Sequence, residues 1–76
     1  MTIQEFTKLF ASQFEETDPA LITESTDFKN LGEWDSLIAL SIIAMADEEC
    51  GVTLTGDDIR NSTTVADLFE RIKAIK

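Results

Sequence analysis

Histidine is absent from this chain, and cysteine occurs only once. Without an imidazole, neither a Ser-His nor a Cys-His arrangement can activate a nucleophile. One cysteine can form no internal disulfide and cannot supply a structural zinc site. Cys50 falls on the apolar side of a predicted helix, so we interpret it as a buried, unreactive thiol. We therefore expect no catalytic residues and no metal site, and the chain is predicted not to be an enzyme.

Glycine and basic residues are also scarce. The three glycines stand apart at Gly32, Gly51 and Gly56, so the chain has no glycine-rich phosphate loop. Six lysines and arginines are set against fifteen aspartates and glutamates, which gives a net charge of −9. Nucleic acid and anionic membrane surfaces both require a basic face, so neither is an expected partner. The negative charge favours encounter with basic patches on proteins, although it also serves solubility alone.

No apolar run is long enough to span a bilayer, and no signal-peptide pattern is present. The 76 residues are 43% apolar, which is enough for one packed domain near the lower size limit. We therefore predict a single domain over residues 1–76. We expect it to act as a monomer in a reducing cytoplasm.

Capping patterns mark the first and last of four predicted helices. Helix one begins at Thr2, where Glu5 completes a capping box. The last helix begins near Thr63 or Thr64, with Asp67 in the same role. Apolar residues recur at helical spacing after both caps. They are Ile3, Phe6, Leu9, Phe10 and Phe14 in helix one, and Val65, Leu68, Phe69, Ile72 and Ile75 in the last helix.

The middle of the chain holds one long and one short predicted helix. Helix two runs from about Ser36 to Cys50 and ends at Gly51, and a helix of about one turn lies near residues 56–60. The sequence therefore predicts an all-α fold, a small four-helix bundle of three longer helices and one short helix. A long loop over residues 15–35 separates helices one and two, with room for a short helical turn. Its large apolar residues predict that it is pinned onto the bundle; they are Leu21, Ile22, Phe28, Leu31 and Trp34.

Helix two has two contrasting faces on a helical wheel. The face opposite the core is apolar in the first half of the helix and acidic in the second half. Either a neighbouring helix or the loop covers its leucines, or the face is a docking surface in which carboxylates rim a small apolar patch. The core face consists of Ile38, Ala39, Ile42, Ile43, Ala46 and Cys50, and the opposite face of Leu37, Leu40, Ser41, Ala44, Asp47 and Glu48.

An acidic cluster, Asp47-Glu48-Glu49, ends helix two. These carboxylates oppose the negative end of the helix dipole, which favours cations. The unfavourable placement is easier to explain if the cluster meets a basic partner. A divalent cation is the alternative, although the spacing does not match an EF-hand loop.

Asp35-Ser36-Leu37 heads helix two, directly after a turn-rich segment. Ser36 therefore falls at a helix start, where a side-chain oxygen is exposed rather than packed. The surroundings are acidic, since no lysine or arginine occurs between Lys29 and Arg60 in the sequence. Aspartate and serine are also favoured N-cap residues, so either could be a helix cap and nothing more.

The length, charge, helix order and placement of Asp35-Ser36-Leu37 together resemble an acyl carrier protein over nearly the whole chain. The resemblance implies that a phosphopantetheinyl transferase (holo-acyl-carrier synthase) attaches 4′-phosphopantetheine from coenzyme A to Ser36. Its terminal thiol would hold acyl groups as thioesters for loading and processing enzymes with basic docking patches. The resemblance also implies that these partners recognise helix two through Asp35, Leu37, Ser41, Ala44, Asp47 and Glu48.

The chain departs from the usual pattern of fatty-acid carriers at several positions. Trp34 stands where those carriers usually have a small residue, and the Leu31-Gly32 pair lies one residue further from the serine. Ser41 and Ala44 replace an acidic residue and a larger apolar one. The pathway is therefore open between fatty acid biosynthesis and a specialised one. The competing hypothesis is a non-covalent acidic helical adaptor that docks on basic partners without any modified serine.

Overall fold

The chain folds into four α-helices. The computed structural model describes residues 1–76. The helices are α1 (Ile3–Ala11), α2 (Ser36–Met45), α3 (Gly56–Arg60) and α4 (Val65–Ile75). No strand forms, and a single isolated bridge joins Asp27 to Thr64. The predicted all-α class with one short helix is confirmed. None of the helices combines the length and apolar character needed to cross a membrane.

Threonine caps begin three of the helices, and the capping boxes predicted for the first and last helices are confirmed. Thr2 and Thr64 each close a capping box, with Glu5 and Asp67 as the partners. Thr55 does the same for α3, because its side chain accepts the Asp58 N–H while Asp58 accepts the Thr55 N–H. Each box satisfies backbone donors that a helix start otherwise leaves without a partner.

The second helix ends differently from the prediction. The predicted span from Ser36 to Cys50 is helical throughout, but the α-helix stops at Met45 and Ala46–Cys50 form one π-helical turn. Ala46 and Cys50 are both buried in this turn, and the three carboxylates between them are exposed. Gly51 then closes the element at φ 65°, a left-handed conformation that glycine adopts at little cost, as predicted for this position.

The long connection between α1 and α2 is pinned to the core, as predicted. Ile22 and Phe28 are buried, and Leu31 and Trp34 pack partly against the same cluster. Two one-turn 3₁₀ helices, Pro19–Leu21 and Phe28–Asn30, confirm the expected helical turn within it. The prediction for Leu21 is wrong, because this side chain is 66% exposed.

A row of aromatic rings runs through the core and ends beside the start of α2. Phe69 of α4 contacts Phe6 at 5.2 Å between ring centroids, and Phe6 contacts Phe10 at 6.1 Å. Phe10 contacts Phe28 at 5.3 Å, and Phe28 contacts Trp34 at 4.9 Å. The row therefore connects α4, α1 and the long loop to the segment that enters α2. Buried aromatic pairs of this kind add about 0.5–1.5 kcal/mol each beyond their burial.

The predicted core residues are mostly confirmed, with some corrections at the helix edges. Phe14 is buried although it lies beyond the end of α1. Ile75 is 48% exposed, because it lies in the last turn of α4. Met45 is buried but was not predicted, although it lies one turn after Ile42. Three predicted core residues of α2 are only half-buried: Ile38, Ala39 and Ile43.

Asp58 joins α3 to α4 through one carboxylate. It accepts hydrogen bonds from Arg71 Nε at 2.6 Å, from the Thr55 N–H at 2.9 Å and from the Thr55 hydroxyl at 3.0 Å. The Arg71 side chain, followed by the backbone of Thr55, lowers the pKa of the Asp58 carboxyl below its usual value. The ionised form is thus preferred in the folded state.

We expect Asp58→Asn to lower the stability at neutral pH and to make it less sensitive to acid. A carboxyl whose pKa is lowered by folding stabilises the native state above its unfolded pKa. That contribution is lost as the pH falls through the folded pKa, so the melting temperatures of wild type and Asp58→Asn should converge in acid. Thermal melts between neutral and acidic pH measure this. Asp57→Asn is the control, since its ion pair with Arg60 is exposed on both sides. A difference in melting temperature between wild type and Asp58→Asn that stays constant at every pH would contradict the role of the Asp58 charge.

Candidate functional site

Ser36 is the first residue of α2, and its hydroxyl is exposed. The helix is capped by Asp35, whose Oδ1 accepts the N–H of Ile38 at 2.9 Å. No hydrogen bond within the chain involves the Ser36 hydroxyl, so capping accounts for Asp35 but not for Ser36. The positive end of the helix dipole lies at this position, where a phosphate group is well tolerated.

Trp34 fixes the backbone immediately before Ser36. Its ring meets Phe28 edge-on at 4.9 Å and stacks on Phe14 at 6.4 Å. The side chain is half-buried against the core cluster. The large residue at this position therefore acts as an anchor for the segment that leads into α2.

Glu33 holds the same segment from its other side. Its carboxylate accepts the backbone N–H groups of Glu15 at 2.9 Å, Glu16 at 3.1 Å and Thr17 at 2.8 Å. It also accepts the Thr17 hydroxyl at 2.7 Å. The Thr17 hydroxyl and the three backbone donors lower the pKa of Glu33, so the carboxylate is held in its ionised form.

A groove of about 570 Å³ lies beside Ser36, between α2 and α3. Ser36 and Asp35 line it on the α2 side, and Gly56 lines it on the α3 side. Lys29 and Arg60 supply basic groups to the same lining, although both are distant in sequence from the serine. A flexible group attached to Ser36 would thus find an apolar surface within reach, formed by Trp34, Ala39, Leu40, Ile43 and Ile59.

The predicted recognition residues follow one side of α2. Leu37 and Ser41 share a depression with Asp35, and Ser41 shares the next one with Ala44 and Glu48. Ser41 is half-buried and donates its hydroxyl to the Leu37 carbonyl at 3.1 Å, whereas the Ala44 and Glu48 side chains are exposed. Asp47 is exposed but lines neither depression.

The two leucines of this helix are not covered by any neighbouring element. Leu37 is 70% exposed and Leu40 is 61% exposed. The interpretation that a helix or the loop covers them is therefore wrong. Leu40 lines the groove beside Ser36 instead of the depressions lined by Ser41, so α2 presents apolar contacts on two sides.

The three carboxylates of the acidic cluster at residues 47–49 are not brought together into a group of ligands. No group of three or more histidine, cysteine, aspartate or glutamate side chains is arranged to hold a metal ion. The alternative of a divalent cation at this cluster thus has no support in the geometry. Cys50 is buried, as predicted, and burial raises the pKa of its thiol.

Sequence reasoning missed three contributors to the site. Glu33 reaches its partners across a separation of 16–18 residues, for which no local pattern exists. Lys29 and Arg60 come to the groove from the long loop and from α3. Leu40, by contrast, is identified from the sequence, because its position on the helical wheel sets it apart from the core face.

The chain matches a family model described as the phosphopantetheine attachment site, over residues 4–72. No curated protein matches it. The match includes all of α2 and α3 and most of α1 and α4, together with the capped start of α2 and the groove beside it. Domains of this family are the sites of covalent 4′-phosphopantetheine attachment, and the all-helical fold described above agrees with that assignment. This chain belongs to the phosphopantetheine-binding carrier family of acyl carrier proteins.

Proposed function

We propose that Ser36 is the attachment residue and that the chain carries acyl intermediates for partner enzymes. The observation that carries this proposal is the exposed Ser36 hydroxyl, which heads α2 without serving as its cap. When bound, the prosthetic group supplies a terminal thiol that holds acyl groups as thioesters. The chain itself contributes position and exposure, because activation of the hydroxyl falls to the transferase.

The transfer chemistry places few demands on the carrier. The Ser36 oxygen forms a new bond to the phosphorus on the pantetheine side of coenzyme A, and the nucleotide half of coenzyme A leaves. The hydroxyl proton passes to a base of the transferase. Asp35 keeps the helix start in place, since its carboxylate caps the backbone N–H of Ile38. The groove beside Ser36 then offers the arm an apolar surface.

Intact mass spectrometry separates this proposal from a non-covalent adaptor. The purified chain is incubated with a broad-specificity phosphopantetheinyl transferase, coenzyme A and magnesium. A carrier gains the mass of one phosphopantetheine arm, and an adaptor keeps its original mass. Failure to gain mass with an active transferase would remove the main support for the carrier proposal.

We further propose a specialised pathway, of polyketide-like, peptide-like or surface-modification type, over housekeeping fatty acid biosynthesis. Trp34 supports this, because it replaces the usual small residue and packs on Phe14 and Phe28 beside the attachment position. The mass of the group carried in the native host tests the proposal. A saturated fatty acyl series on the arm would contradict it.

The unit that acts is proposed to be one carrier domain over residues 1–76. One cluster of 17 buried residues draws on all four helices and the long loop, which supports a single core. A monomeric state and a cytoplasmic location stay predictions. The expected partners are a phosphopantetheinyl transferase and acyl-loading and acyl-processing enzymes with basic patches.

Reversing the charge of Asp47 and Glu48 to lysine is expected to slow modification by the transferase. Both side chains are exposed, so the fold should persist. Charge at the edge of a docking surface acts mainly on the association rate of the two proteins. We therefore expect kcat/KM to fall by about tenfold or more at low salt and to recover partly at high salt. Initial rates at several salt concentrations, with circular dichroism of the variant, provide the measurement.

The matched control reverses Glu24 and Glu70, which line a depression that contains no residue of α2. It changes the net charge by the same amount at a different place. Equal slowing by both double variants would mean that overall charge, and not this face of α2, is read by the partner.

A further inference from the structure

Glu33 is the one acidic side chain whose carboxylate binds a distant stretch of backbone. Its two oxygens accept from three successive N–H groups, those of Glu15, Glu16 and Thr17, at 2.8–3.2 Å. Successive backbone N–H groups that converge on one point form an anion-binding concavity. Here the anion comes from the chain itself, and it joins residues 15–17, in the loop that follows α1, to the entry of α2.

The contact forms against electrostatic repulsion. Two of the three residues that donate to Glu33 are themselves glutamates, in a chain with a net charge of −9. Bringing a third carboxylate to Glu15 and Glu16 costs free energy unless hydrogen bonds outweigh the repulsion. Charge-assisted hydrogen bonds to backbone N–H groups are roughly twice as strong as neutral ones, and this carboxylate has several.

Two anchors therefore hold the backbone before Ser36 in different directions. Trp34 is packed on Phe14 and Phe28, and Glu33 is hydrogen-bonded to residues 15–17. Asp35 then sets the first turn of α2. The Ser36 hydroxyl makes no bond that would fix its own place, so its position depends on these neighbours.

We propose that Glu33 is a positioning residue for the modification of Ser36, acting through its clamp on residues 15–17. This inference rests on the proposed attachment at Ser36. Glu33 does not touch the reacting atoms. It holds the entry of α2 against residues 15–17 of the long loop, so that a transferase bound to α2 finds the hydroxyl within reach of coenzyme A.

The test compares Glu33→Gln with Glu16→Gln in transferase kinetics. Both variants remove one negative charge in the same region, but only the first alters the clamp, because glutamine keeps one acceptor oxygen and replaces the other with an NH₂ donor. Because a displacement of about 1 Å can cost up to about a hundredfold in rate, kcat for Glu33→Gln should fall by about tenfold or more. The KM for the carrier should stay near the wild-type value, since the exposed face of α2 is unchanged.

A kcat for Glu33→Gln equal to that of Glu16→Gln would overturn the proposal. A rise in KM without a fall in kcat would also overturn it, because Glu33 would then act in docking. Thr17→Val removes only the 2.7 Å hydrogen bond from the Thr17 hydroxyl to Glu33. This second variant keeps the proposal testable if Glu33→Gln folds poorly. It should lower kcat by a smaller factor, and it should add little in the Glu33→Gln background. An unchanged kcat for Thr17→Val, or an undiminished effect in that background, would contradict the clamp.

Amide hydrogen exchange on the unmodified protein distinguishes failure of this inference from failure of the carrier proposal. Glu33→Gln should speed exchange at Glu15, Glu16 and Thr17 and at the first amides of α2, whereas Glu16→Gln should not. Wild-type exchange rates at these amides in Glu33→Gln would overturn the clamp, even if Ser36 is modified. If Glu33→Gln speeds exchange as expected but the wild type accepts no phosphopantetheine, the proposed function is rejected and the clamp is retained.

Discussion

Replacing Ser36 with alanine is expected to abolish phosphopantetheine attachment and to leave the helical fold intact. The substitution removes one exposed hydroxyl that makes no hydrogen bond within the chain. The cap of α2 belongs to Asp35 and is retained, so the change in stability should stay within about 0.5 kcal/mol, as for other surface substitutions. Intact mass after incubation with transferase, coenzyme A and magnesium measures attachment, and circular dichroism measures the fold.

Two other serines serve as matched controls for this variant. Ser41→Ala removes a half-buried hydroxyl of the same helix, one that donates to the Leu37 carbonyl. Ser25→Ala removes an exposed hydroxyl in the long loop. Both should gain the mass of one arm when the reaction runs to completion, but only Ser25→Ala is expected to keep the wild-type rate, because Ser41 belongs to the predicted recognition face. Modification of Ser36→Ala to the wild-type extent would place the attachment on another residue.

Replacing Ile42 with aspartate is expected to unfold the domain. Ile42 is fully buried in α2, and no basic side chain belongs to the core cluster around it. The variant loses the apolar contacts of isoleucine and buries an unpaired carboxylate, which together cost several kcal/mol. Small domains have only about 5 kcal/mol or somewhat more to lose. Loss of the helical circular dichroism signal at room temperature is the expected result.

An aspartate substitution at Leu40, two residues earlier on the same helix, provides the comparison. Leu40 is 61% exposed on the same helix, so Leu40→Asp adds the charge without burying it. It should stay folded and melt within a few degrees of the wild type, as expected for about 0.5 kcal/mol. A folded Ile42→Asp, or two variants that unfold alike, would show that the core of α2 is not organised around Ile42.

Features that depend on neighbours in the sequence could be predicted, and features that depend on distant contacts could not. The boxes at Thr2 and Thr64 involve partners three residues away, so the spacing alone reveals them. The clamp of Glu33 depends on residues 15–17 of the long loop lying beside the entry of α2. Nothing in the sequence around Glu33 distinguishes it from the solvated acidic residues nearby.

The end of α2 shows a second reason for incomplete prediction. Apolar periodicity places Ala46 and Cys50 on one face whether the turn between them is α-helical or π-helical. The same pattern cannot tell which leucines remain exposed, because Leu37 and Leu40 fit a packed face as well as a docking face. Burial is decided by the position of α3 and the long loop, which a single helical wheel does not contain.

Trp34 gives the protein an optical property that follows from its place in the aromatic row. It is the only tryptophan, and the chain has no tyrosine, so the near-ultraviolet emission excited at long wavelength comes from this one indole. The ring lies between Phe28 and the groove beside Ser36. Its emission maximum therefore reports the polarity of the groove beside Ser36, and we expect the same signal to change when the fold is lost or when an apolar group occupies the groove.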